Sequence, residues 1–137
     1  MPTEQLTTED VQQRVDDGDI ILLDFWADWC GPCHQFAPIY EEASQRHPDV
    51  VFGKIDTESE PQLAGQLGIQ SIPTLVAIRD GVVLFKESGV LPGDAIDDVL
   101  RQIRELDMDQ IHAEIAEQES DGDGPSGSEP SQDDQPR

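Results

Sequence analysis

The sequence predicts an α/β domain in which strands alternate with helices, and three stretches carry that prediction. Residues 20–26 read Ile-Ile-Leu-Leu-Asp-Phe-Trp, an almost unbroken apolar run. Such a run suits a central strand covered on both faces, where the in–out alternation of a one-sided strand is lost. A second apolar stretch, 50–56, follows after a helical interval, and the handedness of such crossovers places it parallel to the first. Asp80-Gly81 then separates two β-rich runs, the signature of a tight hairpin. The 137 residues suit one domain of ordinary size with room for its own core.

Each element has a local reason. Thr7-x-x-Asp10 is a helix start, and Val11 and Val15 follow at i, i+4 before Gly18 ends the helix. A longer helix is expected over 30–47, with Pro38 inside it and expected to kink it by crowding the His34 carbonyl and removing one hydrogen bond. Ser59-Glu60-Pro61 opens a short helix stopped by Gly68. Strands over 74–79 and 82–87 flank the hairpin turn. A last helix over 93–106 turns Ile96, Val99, Leu100 and Ile103 inward. Residues 1–106 are therefore read as the folded domain. Met108, Ile111 and Ile115 allow a short helical extension within 107–118. From Glu119 the chain has no large apolar residue, so 119–137 is expected to be a disordered acidic tail.

The chemistry is concentrated in Trp29-Cys30-Gly31-Pro32-Cys33, which holds the only two cysteines. Spacing of i, i+3 on one helical turn can bring the Cα atoms into the ~4.4–6.8 Å window of a disulfide. Pro32 lacks an N–H and is tolerated in a first turn, where that donor would be unpaired anyway, so Cys30 is expected at the helix N-terminus and Cys33 just inside. The helix dipole there favours a thiolate, the form that attacks disulfides. Two other readings compete. A structural zinc site needs about four ligands, and His34, His47 and His112 do not complete one from this single pair. A permanent structural disulfide across so short a loop removes little chain entropy.

Charge bounds the partners. The net charge is −22, with lysine only at Lys54 and Lys86. A basic patch for nucleic acid or an anionic membrane is thereby excluded as an expectation. No run of about 18 apolar residues exists, and the acidic, polar first residues lack the pattern of a signal peptide. The expected location is cytoplasmic, where a cysteine pair is more often catalytic than structural.

These motifs together resemble the thioredoxin family across roughly residues 6–106. The stretches that carry the resemblance are Asp24-Phe25-Trp26-Ala27, the Cys-Gly-Pro-Cys segment with Ala37-Pro38, Lys54-Ile55-Asp56, Gly68-Ile69, Ile72-Pro73-Thr74, and Asp80-Gly81 with Gly89. The resemblance implies a thioredoxin fold, with a central mixed four- to five-stranded sheet and helices on both faces. It also implies dithiol–disulfide exchange in the reducing direction. Asp24, a carboxylate in a doubly covered strand, is costly to bury and marks a functional group. By resemblance it manages the proton of Cys33. The competing reading pairs it structurally with Lys54. Ile72-Pro73 resembles the family's cis-proline turn, which lies beside the cysteines and offers the Ile72 backbone to an incoming peptide. Trp29, Gly31, Pro32, Ile72, Pro73 and Gly89 are then the substrate groove, and Trp26 is packing.

The function expected is reduction of protein disulfides by the Cys30–Cys33 pair, with no bound cofactor. Reducing equivalents would come from NADPH through a thioredoxin reductase. The partners would be that reductase and disulfide-containing proteins, and the chain would be a monomer. A non-catalytic, holdase-like binding module and a disulfide-forming oxidase are the competing functions. Three features depart from the pattern: His34 after the second cysteine, Ser71 where glycine is frequent, and the acidic tail. The first edge strand is expected to be clipped or absent.

Overall fold

The computed structural model describes residues 3–123. These fall into two compact units divided between Arg104 and Glu105. The first holds β1 (Thr3–Gln5), α1 (Thr8–Asp16), β2 (Ile20–Trp26), α2 (Gly31–Arg46), β3 (Val51–Asp56), α3 (Pro61–Gln66), β4 (Thr74–Arg79), β5 (Val82–Ser88) and α4 (Gly93–Glu105), whose last residue crosses the division.

The five strands form one mixed sheet in the order β1-β3-β2-β4-β5. β1, β3 and β2 run parallel, and β4 and β5 antiparallel to their neighbours. The first edge strand is present but only three residues long, pairing Thr3 with Phe52 and Gln5 with Lys54. The turn between β4 and β5 has positive φ at both Asp80 and Gly81, as the type I′ form of a two-residue hairpin loop requires.

Both faces of the sheet are covered, which explains the apolar run in β2. Ile21, Leu23 and Phe25 pack with Val11 of α1 and Leu63 of α3. Leu22 faces the other way, packing with Phe36, Tyr40 and Ala43 of α2 and Ile96, Leu100 and Ile103 of α4. Strand geometry puts Asp24 on this second face, in line with Leu22. On the first face, Gly53 makes room for the chain leaving β1: a Cβ built there would lie 2.5 Å from Leu6 Cδ1. Tyr40, wholly buried, lies 3.0 Å from the Leu22 carbonyl oxygen and 2.8 Å from that of Gly53, and its hydroxyl proton is donated toward them.

α1 begins with a reciprocal cap. The Asp10 amide donates to Thr7 Oγ1 (3.1 Å) and the Thr7 amide donates to Asp10 Oδ2 (3.0 Å). The Thr7 bonds hold the Asp10 carboxyl below its ordinary range. α2 continues through Pro38 without interruption.

In the second unit α5 spans Met108–Asp123. It runs past Glu119, where composition sets the start of the tail, and is longer than the turn or two read from Met108, Ile111 and Ile115. Asp107 Oδ1 accepts the Gln110 amide at 3.2 Å and caps it, and the intervening Ala, Glu and Gln residues are strong helix formers. The rest of the expected tail, 124–137, lies outside the described residues. No helix among the described residues is long and apolar enough to cross a membrane.

Candidate active site

Cys30 is the N-cap of α2, with extended backbone (φ −90°, ψ 108°), and Gly31 and Pro32 open the helix. The Cys33 amide donates to Cys30 Sγ at 3.2 Å. The two cysteines are joined as a disulfide with Cα atoms 5.3 Å apart. A sulfur in this position takes up a helix-end amide that has no partner within the helix, and sits at the positive end of the dipole. Both cysteines are nearly covered, packing on Ala27 with Trp26 and Ile72 alongside.

Trp29 next to them is 70% exposed. Its Nε1–H donates to Glu58 Oε2 at 2.5 Å, and the Glu58 amide in turn donates to Asp56 Oδ1 at 2.9 Å. The loop after β3 thereby holds the indole in place. His34 Nε2 lies 2.7 Å from the Asp28 carbonyl oxygen. That oxygen can only accept, so Nε2 carries the proton and ties the first turn of α2 back to the loop before Cys30.

Asp24 is completely buried, and neither carboxylate oxygen has a hydrogen-bond partner. Burial pushes its pKa up to about 7, against the opposing charge of Lys54. Lys54 is its register neighbour on β3, but its Nζ sits 4.9 Å above the Trp26 ring. Lys54 therefore acts on Asp24 through space, without a hydrogen bond. The Tyr40 hydroxyl is pushed well above its usual range by its burial and by the nearby Asp24 charge. A group balanced near neutrality, on the face covered by the helix that bears Cys33, can take up and return a proton at physiological pH.

The Ile72-Pro73 peptide bond is cis. The Ile72 carbonyl oxygen lies 3.8 Å from Cys30 Sγ, so this loop borders the sulfur directly. The Gly89 amide donates to the Pro73 carbonyl at 2.8 Å, from a backbone with φ of 105° that favours glycine.

Beside the disulfide is a shallow cavity of about 350 Å³ lined by Trp29, Thr57, Ala64, Ile69, Gln70, Ser71 and Ile72. Of the sequence-derived groove, Trp29 and Ile72 line it. Gly31 and Pro32 lie at the helix start, and Pro73 and Gly89 flank the loop, outside the cavity lining. Thr57, Gln70 and Glu58 escaped the sequence reading because loops distant in sequence deliver them, and Ile69 was read there only as part of a motif. A larger cleft, about 600 Å³, lies at the far end of the sheet among Glu4, Arg14, Asp19 and Asp49 and contains neither cysteine. Among the described residues no three His, Cys, Asp or Glu side chains converge as metal ligands do.

Comparison with known proteins gives a consistent set of relatives. A family profile described as Thioredoxin matches residues 2–102. Putative thioredoxin 2 of Streptomyces coelicolor is 51% identical over 118 residues, 86% of this chain and 88% of that protein. Thioredoxin of Bacillus subtilis is 39% identical over 84 residues, 61% of this chain and 81% of that protein. Among solved structures, a point mutant of thioredoxin from Halobacterium salinarum superimposes with a TM-score of 0.69 at 33% identity, covering 76% of this chain and 94% of that one.

Proposed function

The chain belongs to the thioredoxin family and is a thiol–disulfide oxidoreductase that reduces protein disulfides, and from that premise we propose how its residues divide the work. Its redox group is the Cys30–Cys33 disulfide, and no bound cofactor is needed. In the reduced protein Cys30 is the attacker, its thiolate stabilised at the helix N-terminus. It attacks one sulfur of a target disulfide. A Cys30–target bond forms, the target S–S bond breaks, and the departing target sulfur leaves as a thiolate that picks up a proton. Cys33 then gives its proton to the Asp24 carboxylate and attacks Cys30 Sγ. The Cys30–target bond breaks, the second target sulfur leaves and is protonated, and the two electrons of the dithiol have passed to the target.

Lys54 tunes Asp24 by its charge. Trp29, Gly31, Pro32, Ile72, Pro73 and Gly89 form the surface that receives the target, with the Ile72 backbone pairing with an extended peptide. Reducing equivalents return from NADPH through a flavin-containing thioredoxin reductase. The protein works as a monomer in the cytoplasm.

The observation that supports this reading best is the Cys30 cap. The sulfur that receives the Cys33 amide is the one placed to be a stabilised anion. Trapping tests it. Cys30→Ser abolishes reduction of insulin, and Cys33→Ser accumulates a mixed disulfide through Cys30, read by mass spectrometry. Trapping by Cys30→Ser and not by Cys33→Ser would reverse attacker and resolver.

A further inference from the structure

Three hydroxyls near the Ile72-Pro73 loop take no part in the chemistry above. Thr74 is 2% exposed, and its Oγ1 lies 2.5 Å from the Ser71 carbonyl oxygen and 2.8 Å from Ser88 Oγ. Ser71 Oγ lies 2.9 Å from Ser88 Oγ. Each hydroxyl has one proton to give. The Ser71 carbonyl can only accept, so Thr74 gives its proton there. Ser88 must then give its own to Thr74 Oγ1, which leaves Ser88 to accept from Ser71. The three donations run in one direction and close on the residue where they began.

The ring encloses Ile72 and Pro73 and fastens both flanking residues, Ser71 and Thr74, to the last residue of β5. It adds to the register pairing of Thr74 with Ser88 and to the Gly89 bond to the Pro73 carbonyl. A polar group as buried as Thr74 needs partners, and here they come from two exposed serines. Without Ser88, Thr74 Oγ1 loses its donor and Ser71 loses its acceptor, and the loop is held to β5 by backbone contacts alone.

We propose that Ser88, with Ser71, is a positioning residue for recognition of protein substrates. The ring fixes the direction of the Ile72 peptide group beside Cys30, so that an extended target chain meets it ready to pair. Neither serine touches a sulfur. The inference rests on the reading of Ile72 as the residue that pairs with the target, and it adds to that reading what holds the pairing edge.

The test uses full-length, fully reduced protein oxidised in a stopped-flow instrument by two disulfides. Insulin has a backbone to pair; 5,5′-dithiobis(2-nitrobenzoate) has none. For Ser88→Ala the second-order rate constant with insulin falls two- to fivefold, the scale of one partly exposed neutral hydrogen bond. The constant with the small disulfide stays unchanged, and Ser88→Thr, which keeps the hydroxyl, restores the insulin rate. If Ser88→Ala folds poorly, Ser71→Ala removes the first donor at an exposed position and gives the same split. Equal losses on both disulfides, or no loss on insulin, would overturn the proposal. If the parent protein reacted equally fast with a disulfide-bearing peptide and with the same peptide N-methylated along its backbone, the underlying reading of the pairing edge would fall first, and that result is separate from the Ser88 comparison.

Discussion

The two ends of helix α2 treat charge in opposite ways. At its start, beneath the first turns, Asp24 is fully buried with both oxygens unpartnered, and burial raises its pKa to about 7. At its other end charged groups pair with one another. Arg104 reaches both oxygens of Asp49 (2.9 and 3.1 Å) and His47 Nδ1 (3.1 Å). His47 Nε2 lies 2.7 Å from Asp97 Oδ1, which also accepts from Arg46 at 3.2 Å. Since Arg104 can only donate, His47 Nδ1 is the acceptor and Nε2 carries the proton toward Asp97. The Arg104 bonds hold the Asp49 carboxyl below its ordinary range. Burial pushes Asp97 up, but the bonds from His47 and Arg46 outweigh it and leave Asp97 lowered too. A helix about 24 Å long, at 1.5 Å per residue, thus separates an end where charges are paired from an end where a carboxylate is buried without a partner.

The largest expected break in this contrast is at Asp24. Its folded-state pKa lies above the unfolded value of 3.8, so the folded protein holds a proton that the unfolded chain releases. Stability therefore falls as pH rises from about 4 to about 7 and is level above that. Three pKa units set a ceiling of about 4 kcal/mol. Asp24→Asn flattens this slope and raises stability at pH 8 by about 1–3 kcal/mol, less than the ceiling because the amide is also unpartnered. Urea denaturation at pH 4, 5.5, 7 and 8 measures it. A parental slope of the opposite sign would show that the carboxylate is well paired. The same variant resolves the mixed disulfide about 10²-fold more slowly, while first attack is little changed. In the parent, resolution speeds up with pH through about 7.

The far end sharpens the contrast with a smaller effect. Arg104→Ala removes the donor to both Asp49 and His47 and costs about 1 kcal/mol, as expected for a partly exposed network. Reduction of a small disulfide is unaffected. A change in the redox rate without a change in the urea midpoint would mean that the two ends are coupled. The smallest expected effect is from removing residues 124–137, which contain no thiol and no histidine. Small-disulfide kinetics stay within error, and any change with protein partners is screened by salt.

The active-site end was far more legible in the sequence than its opposite. Pro32 suits a first turn, where its missing N–H costs nothing, and so pointed to Cys30 as the cap. Asp24 stood out because two covered faces leave no polar position in β2. Asp80-Gly81 fixed the hairpin. The paired end was invisible because its members are about 50 residues apart, as in His47–Asp97 and Arg104–Asp49, and charged residues on helices read as solvated faces. Tyr40 was missed for a different reason. Its partners are backbone carbonyls, which carry no sequence identity. The length of α5 was lost because a composition poor in large apolar residues says little about helix capping.

The contact between Gly53 and Leu6 sets how this domain can change by mutation. A methyl at position 53 would meet Leu6 Cδ1 at 2.5 Å and Leu23 Cδ2 at 3.1 Å, so the ends of these two side chains must give way, Leu6 most of all. Alone, such a change is overpacking of the kind that costs about 1–3 kcal/mol. Paired with a smaller residue at position 6, much of that cost is relieved, so the two sites are epistatic. A mutational library that varies them one at a time would underrate substitutions at position 53, while one that varies them jointly would recover pairs that open an alternative packing for the crossing from β1 to α1.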